Sequence, residues 1–290
     1  MASKVSIIGG SGLYQIEGLE NPEWVTVETP WGAPSDQLLT GTLSGVEIVF
    51  LPRHGRGHVH APTTINYRAN IDALKRLEVT DIISISATGS FREEMAPGDF
   101  VMVDQFIDRT VNREKSFFGS GCVAHVSAAH PVCARLSSLL AEAAGAAGIP
   151  HHVGGTYLAM EGPQFSSLAE SKMYRQSWGC DVIGMTNMPE AKLAREAEIC
   201  YATVAMVTDY DSWHPDHGEV DISEILRVMH GNGEKARSLI TTIVPMLADR
   251  PIPCANGCDR ALEYAIITAP EVRDPVLVGK LDAVAGRVLS

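Results

Sequence analysis

Short apolar runs alternate along the chain with stretches whose apolar residues recur every three or four positions, and this alternation predicts an α/β protein. The runs Val5–Ile8, Val46–Leu51, Ile82–Ser86, Phe100–Val103, Thr156–Met160, Val182–Met185 and Thr203–Thr208 read as strands. Between them, Ile71, Leu74 and Leu77 share one helical face, and Leu136, Leu139, Leu140 and Ala143 share another that stops at Gly148 and Pro150. Asp221 to Leu247 carries a long helical pattern that Gly231 and Gly233 should interrupt and Pro245 should distort or end. Asp274-Pro275 provides an N-cap and a proline at the first helical position for a last helix. Internal repeats, low-complexity tracts and Gly/Ser/Pro linkers are absent from the sequence. Residues 1–290 are therefore expected to form one α/β domain, a central mixed sheet flanked by helices in three α/β/α layers. The stretch Asp249–Asp259, with Pro251, Pro253 and Gly257, is the one plausible break, and it would detach only a C-terminal helix.

Composition adds limits to that picture. At 290 residues with 45% hydrophobic positions, the chain can bury a sizeable core. A formal charge of −12 with no Lys/Arg cluster to offset it argues against nucleic acid as a partner, though a small anion can still bind in a local positive pocket. The start, Met1-Ala2-Ser3-Lys4, runs into a strand without an apolar leader, and no run of about 18 apolar residues occurs, so the expected setting is the cytoplasm, with no membrane partner. Cysteines stand at 122, 133, 180, 200, 254 and 258. Only Cys254 and Cys258 are neighbours, and a lone C-x3-C is a poor zinc signature, so buried or idle thiols and no metal are expected. His54, His58 and His60 lack H-E-x-x-H spacing, and Pro62 follows closely, which predicts a loop.

The candidate chemistry lies where strands end, the place where α/β folds gather ligand residues. The first strand drops into Gly9-Gly10-Ser11-Gly12, a loop whose backbone N–H groups can crowd toward an anion. Gln15 breaks a dinucleotide fingerprint at its third glycine, and Leu13-Tyr14 stand where a P-loop needs G-K-[S/T]. The second strand ends in Arg53-His54, the third in Ser86-Ala87-Thr88-Gly89-Ser90, the sixth before Thr186, and the seventh in Thr208-Asp209-Tyr210-Asp211. An arginine grips phosphate through two parallel charge-assisted bonds, and hydroxyls and loop amides take its remaining oxygens. Each residue alone reads equally well as an ordinary loop residue. Together they predict an oxyanion pocket.

The stretches I-I-G-G-S-G-L, R-H-G-R-G-H, N-Y-R-A-N, S-A-T-G-S-F-R-E, P-G-D-F-V-M-V-D-Q-F-I-D-R-T, E-G-P-Q-F-S-S-x-A-E and V-T-D-Y-D-S-W closely resemble, in this order, those of the methylthioadenosine phosphorylases. These belong to the trimeric branch of the purine nucleoside phosphorylases. The resemblance runs from about Val5 to Leu247 and does not cover the helix at about 274–290. It implies phosphorolysis: inorganic phosphate, a co-substrate rather than a cofactor, displaces a purine from C1′ and leaves a sugar 1-phosphate. For 5′-methylthioadenosine, the products are adenine and 5-methylthioribose 1-phosphate, a step of purine and methionine salvage.

By the same resemblance, phosphate falls to Ser11, Arg53, His54, Ser86, Ala87 and Thr186, with serine at 11 and 86 where relatives often carry threonine. Asp209 would face purine N7 as a protonated acid and Asp211 would lie near the 6-amino group; a carboxyl can donate there only if its pKa is raised. Phe165 and Ser166 would meet the purine and Met185 the ribose. His125, lent to a neighbouring subunit of a homotrimer, would close an apolar 5′ pocket with Ile222 and Ile225. Gln164 and Leu168 depart from the pattern, and His214–Gly218 could act as a lid. Adenosine is a second candidate substrate, because an apolar site rejects an added hydroxyl only modestly. Two other readings stay open, a phosphorylase of 6-oxopurine nucleosides such as methylthioinosine or inosine, and a catalytically inactive nucleoside-binding protein; a dinucleotide-dependent dehydrogenase is more distant.

Overall fold

The computed structural model of the chain describes residues 3–10, 13, 15–215, 222–249 and 251–289, and the side chains of all of these except Ile222 and Glu224. Eleven strands among them join one mixed sheet. They are β1 (Lys4–Gly9), β2 (Glu20–Val25), β3 (Leu38–Leu43), β4 (Val46–Pro52), β5 (Asp81–Ser90), β6 (Phe100–Met102), β7 (Gln105–Asp108), β8 (His151–Val153), β9 (Thr156–Ala159), β10 (Val182–Gly184) and β11 (Cys200–Asp209). The helices are α1 (Tyr67–Arg76), α2 (Ala134–Ala146), α3 (Leu168–Gln176), α4 (Asn187–Glu196), α5 (Ile222–Met246), α6 (Pro275–Lys280) and α7 (Asp282–Leu289). The sheet runs β2-β3-β4-β1-β5-β10-β9-β7, and β11, β6 and β8 branch from β5.

The central strands are apolar on both faces because helices cover both. Along β11, Tyr201, Ala205 and Val207 face one core, while Cys200, Ala202, Val204 and Met206 face the other, the period of two that a strand imposes. Helices α1, α4 and α7 pack with the first core; α2 and α5 pack with the second. The three expected layers are present. The C-terminal segment joins them, since Leu262, Leu281, Val284 and Ala285 enter one core and Cys254 and Cys258 the other.

Local chemistry explains most helix ends. Asn66 caps α1 by accepting from Ala69 N, Ser167 and Glu170 form a reciprocal capping box on α3, and Asp274 caps α6 just before Pro275. Two expectations need correction. Helix α5 runs unbroken through Gly231 and Gly233, because packing of Ala236, Leu239, Ile240 and Ile243 in the core outweighs the propensity cost of two glycines. The last helix is two short helices, with Leu281 at the C-cap of α6 and fully buried.

One feature of the sheet positions the candidate site. On one edge of β5, β11 pairs in parallel from Asp81 to Gly89. On the other edge β1 pairs with Asp81–Ser84, and β10, running antiparallel, pairs only with Gly89 and Ser90. Between those two partners the edge of Ile85, Ser86, Ala87 and Thr88 has no strand beside it among the described residues. A cavity opens at that gap.

Glu196 ends α4 inside the protein, 6% exposed, where it accepts from Phe117 N and Ser116 Oγ, both at 2.7 Å. Burial pushes its carboxyl up to about 7. The folded protein thus holds this proton more tightly than the unfolded chain, so the stabilisation is complete below the ordinary carboxylate range and is lost as pH rises through about 7. The melting temperature should fall between about pH 5 and pH 8, and Glu196→Gln should flatten that slope in a thermal-shift series; an unchanged slope would exclude Glu196 as its source.

Candidate active site

The gap in β5 is the floor of a cavity of about 410 Å³, a size suited to a small-molecule ligand. Its walls bring together the ends of four strands and one helix face. Arg53 and His54 follow β4; Ser86, Ala87 and Thr88 lie in β5; Met185 and Thr186 follow β10; Asp209 and Asp211 end β11. Phe165 and Met160 close another side. Ile225, Met229 and Gly233, spaced by four on α5, present a helical stripe to the opening. Gly10 and Leu13 also line the cavity and flank Ser11, which lies outside the described residues.

A buried polar network holds the floor in place. Arg53 is 1% exposed, and its Nε and Nη2 donate to the two carboxylate oxygens of Glu190 at 2.9 and 3.2 Å. Nη2 also reaches Ser84 Oγ at 2.5 Å, and Nη1 donates to Ile85 O at 3.1 Å. Tyr201 and Ser84 hydroxyls donate to the same Glu190 oxygen, and Asn187 bridges Ser84, Tyr201 and Thr203. Ser86 Oγ joins by donating to Asn187 Oδ1 at 3.0 Å. The guanidinium fork expected to grip phosphate thus grips Glu190 instead. Arg53 still lines the cavity, but through the geometry it imposes on β5.

His54 is neutral around pH 7. Burial, together with the charges of Arg53 and His58, lowers its pKa to about 4. Nδ1 lies 2.9 Å from His60 O, which can only accept, so Nδ1 carries the proton and Nε2 keeps its lone pair. The ring stacks on His58 at 4.2 Å. An imidazole of this kind accepts from a protonated oxyanion. Thr186 Oγ1, buried without a hydrogen-bond partner among the described residues, adds a hydroxyl that a ligand oxygen can satisfy.

Asp209 stands beyond a bulge, where the β5–β11 register shifts between Val207 and Asp209. Bulges re-aim side chains at the rims of sheets. Its oxygens accept from Thr208 Oγ1 at 2.7 Å and from the backbone N–H of Asp211 at 2.8 Å. Burial raises its pKa, and these two bonds only partly oppose the rise. Burial also raises Asp211, with the charge of Asp209 adding to the effect. Gly89 makes this packing possible: a Cβ there would sit 2.8 Å from Asp209 Oδ1. Gly184 serves similarly, since a Cβ would collide with the Tyr157 hydroxyl beneath Thr186.

Two expected residues fall outside the cavity lining, and a third has a side chain outside the described ones. Ser166 is buried beside Phe165 rather than in the lining, with its hydroxyl 3.8 Å from Met160 Sδ and its carbonyl bonded to Ser212. His125 is exposed and away from the cavity of its own chain, its backbone N–H bonded to Ala265 O. Ile222 opens α5, but its side chain lies outside the described ones, as does most of the His214–Gly218 segment. No motif in the sequence marks Arg113. This buried arginine donates to the carbonyls of Met185 at 2.6 Å, Met188 at 2.7 Å and Glu161 at 2.8 Å, and so fixes the backbone on two sides of the cavity. Met229 was findable in principle, four residues after Ile225 on one helical face.

Residues 4–245 match the profile of the phosphorylase superfamily. The S-methyl-5′-thioadenosine phosphorylase of Cereibacter sphaeroides is 68% identical over 289 residues, covering 100% of this chain and 99% of that protein. The chain belongs to the methylthioadenosine phosphorylases of the phosphorylase superfamily. Among solved structures, a methylthioadenosine phosphorylase from an antarctic soil metagenomic library superimposes with a TM-score of 0.91 at 45% identity, covering 98% of this chain and 99% of that one. The Schistosoma mansoni methylthioadenosine phosphorylase in complex with adenine gives 0.83 at 34% identity over 91% and 98% of the two chains. The match extends through the C-terminal helices that the sequence motifs left uncovered. Membership of this family makes the chain an enzyme that transfers a pentosyl group to phosphate.

Removing one partner of a buried ion pair strands the other charge. Glu190→Gln should therefore lower stability by about 3–5 kcal/mol in urea unfolding, while a loss under about 1 kcal/mol, the range of surface pairs, would show that the network is not what fixes Arg53.

Proposed function

We propose that this phosphorylase cleaves 5′-methylthioadenosine, with adenosine as a weaker substrate. One observation carries the reading: a half-buried carboxyl with a raised pKa, Asp209, shares a cavity with an oxyanion-ready floor and an apolar helical wall. The floor suits phosphate, with hydroxyls from Ser86 and Thr186, the Ala87 backbone and the His54 imidazole. The wall of Ile225 and Met229 suits a methylthio group better than a hydroxyl.

In this mechanism a phosphate oxygen bonds to C1′ as the C1′–N9 bond breaks, and the bonding pair moves into the purine. Charge accumulates on the leaving base, where a proton given by Asp209 to N7 neutralises it. Raised by burial, Asp209 holds that proton at higher pH than a free carboxyl does. Asp211, held by its backbone N–H on Asp209, offers a carboxyl to the 6-amino group. Phe165 supplies a flat aromatic face to the base. The products are adenine and 5-methylthioribose 1-phosphate, returned to purine and methionine salvage. No cofactor or metal takes part in these steps.

His125 is exposed, a position from which it can complete the 5′ pocket of a neighbouring copy in a homotrimer. Among the described residues no helix is long and apolar enough to cross a membrane, consistent with an enzyme working in the cytoplasm on a soluble nucleoside.

Base release from methylthioadenosine, adenosine and inosine, each with and without phosphate, tests the reading. Phosphate-dependent adenine release fastest with methylthioadenosine is expected; hypoxanthine release from inosine alone would reject it. Asp209→Asn should lower kcat by about 10²–10⁴-fold and abolish the alkaline limb of the pH profile, which marks loss of the proton from Asp209. The KM for phosphate should stay near that of the parent enzyme. An Asn variant of undiminished kcat would remove Asp209 as the acid.

A further inference from the structure

Four of the six cysteines, far apart in the sequence, meet in the fold. Cys133 sits at the N-cap of α2, Cys200 opens β11, and Cys254 and Cys258 lie beyond the C-terminal end of α5. All four are buried, and their Sγ atoms lie within 4.8 Å of one another. Cys254 Sγ is 3.8 Å from Cys133 Sγ and 3.6 Å from Cys200 Sγ. Zinc bonded to four thiolates at about 2.3 Å in a tetrahedron separates its sulfurs by about 3.8 Å. Sulfur separations of this size are nearly twice the bond length of about 2.05 Å in a disulfide, and all four residues are free thiols.

Positive groups stand close to the four sulfurs. Helix α2, thirteen residues long, points its positive N-terminal end at Cys133. The Arg135 guanidinium, paired with Asp81, lies beside Cys200. Each strand of chain that carries a sulfur is also fixed: Cys133 N donates to Tyr201 O at 2.8 Å, Cys200 N to Thr80 O at 3.1 Å, and Cys254 N to the Asp259 carboxylate at 2.9 Å. Asn256, between the last two cysteines, accepts from Arg135 N at 3.2 Å. Such anchoring holds first-sphere ligands ready before a metal arrives.

We propose that Cys133, Cys200, Cys254 and Cys258 form a closed structural zinc site that fastens the segment after α5 to the sheet and to α2. Four protein ligands and full burial leave no open position, so the ion has no part in the reaction. Its work is mechanical. Helix α5 carries Ile225 and Met229 of the cavity wall near its start, and the site lies a few residues beyond its end. The expectation of idle thiols and no metal thus gives way to a specific alternative, hidden because two of the ligands come from the ends of distant elements.

Metal analysis of the full chain, purified in reducing buffer without chelator or metal-affinity tag, should find about one zinc per chain. Replacing zinc with Co²⁺ should give intense thiolate-to-metal charge-transfer bands and tetrahedral d–d bands. Cys258→Ala should abolish both the zinc and the bands, whereas Cys122→Ala, outside the cluster, should keep them. The unaltered chain decides the matter even if Cys258→Ala does not fold. The proposal is overturned by a folded chain that takes up no zinc from excess zinc salt and gives no Co²⁺ bands. A stoichiometric iron or copper content, or an intact mass showing disulfides in place of metal, overturns it too.

Discussion

The bond that the rest of this molecule leans on is the buried pair between Arg53 and Glu190. It ties the end of β4 to the first turn of α4, and through Ser84, Asn187 and Tyr201 it also holds β5 and β11. A charge pair at this depth is weak evidence for stability, since desolvation consumes much of the attraction. Its value lies in direction. Carboxylate and guanidinium meet in only a few planar arrangements, and the neighbouring hydroxyls leave fewer still. The carbonyl of Ile85, which has no strand partner on that edge, is satisfied by Arg53 instead. A sheet edge that would otherwise invite another strand is thereby kept open for a ligand.

Electrostatics divide the cavity into two ends with opposite demands. Near the floor, burial and a cationic neighbour keep His54 neutral and accepting. At the rim, burial alone favours the protonated form of Asp209. The same desolvation therefore works against a charge on both groups, pulling the imidazole down and pushing the carboxyl up.

Much of this was legible in the chain. Hydroxyls, glycines and carboxylates concentrated at strand ends predicted a shared pocket because strand ends converge in an α/β fold, and ten of the expected site residues, from Arg53 to Ile225, line one cavity. Strands β2, β3, β7 and β8 were missed because β2, β7 and β8 are polar, partly exposed or only a few residues long, and β3 interrupts its leucines with Thr-Gly-Thr, so none shows a clear periodic pattern. What Arg53 holds could not be read, because Glu190 lies 137 residues away. Arg113 acts on backbone carbonyls, which every residue has, so no sequence pattern announces its targets. The cysteine cluster was invisible for the same reason as the ion pair: spacing reveals a ligand set only when the ligands are neighbours along the chain.

The open edge of β5 has an implication for how this cavity arose. A parallel strand departs after Ser84 and an antiparallel one arrives at Gly89, so the space between them follows from the order and direction of strands rather than from the removal of bulk. Any descendant that keeps this connectivity inherits a hole in the same place, with a row of backbone groups exposed along its floor. Mutation can change which molecule fits there far more easily than it can close the hole. A scaffold of this kind is free to exchange one ligand for another while the floor of its pocket is handed down with the topology itself.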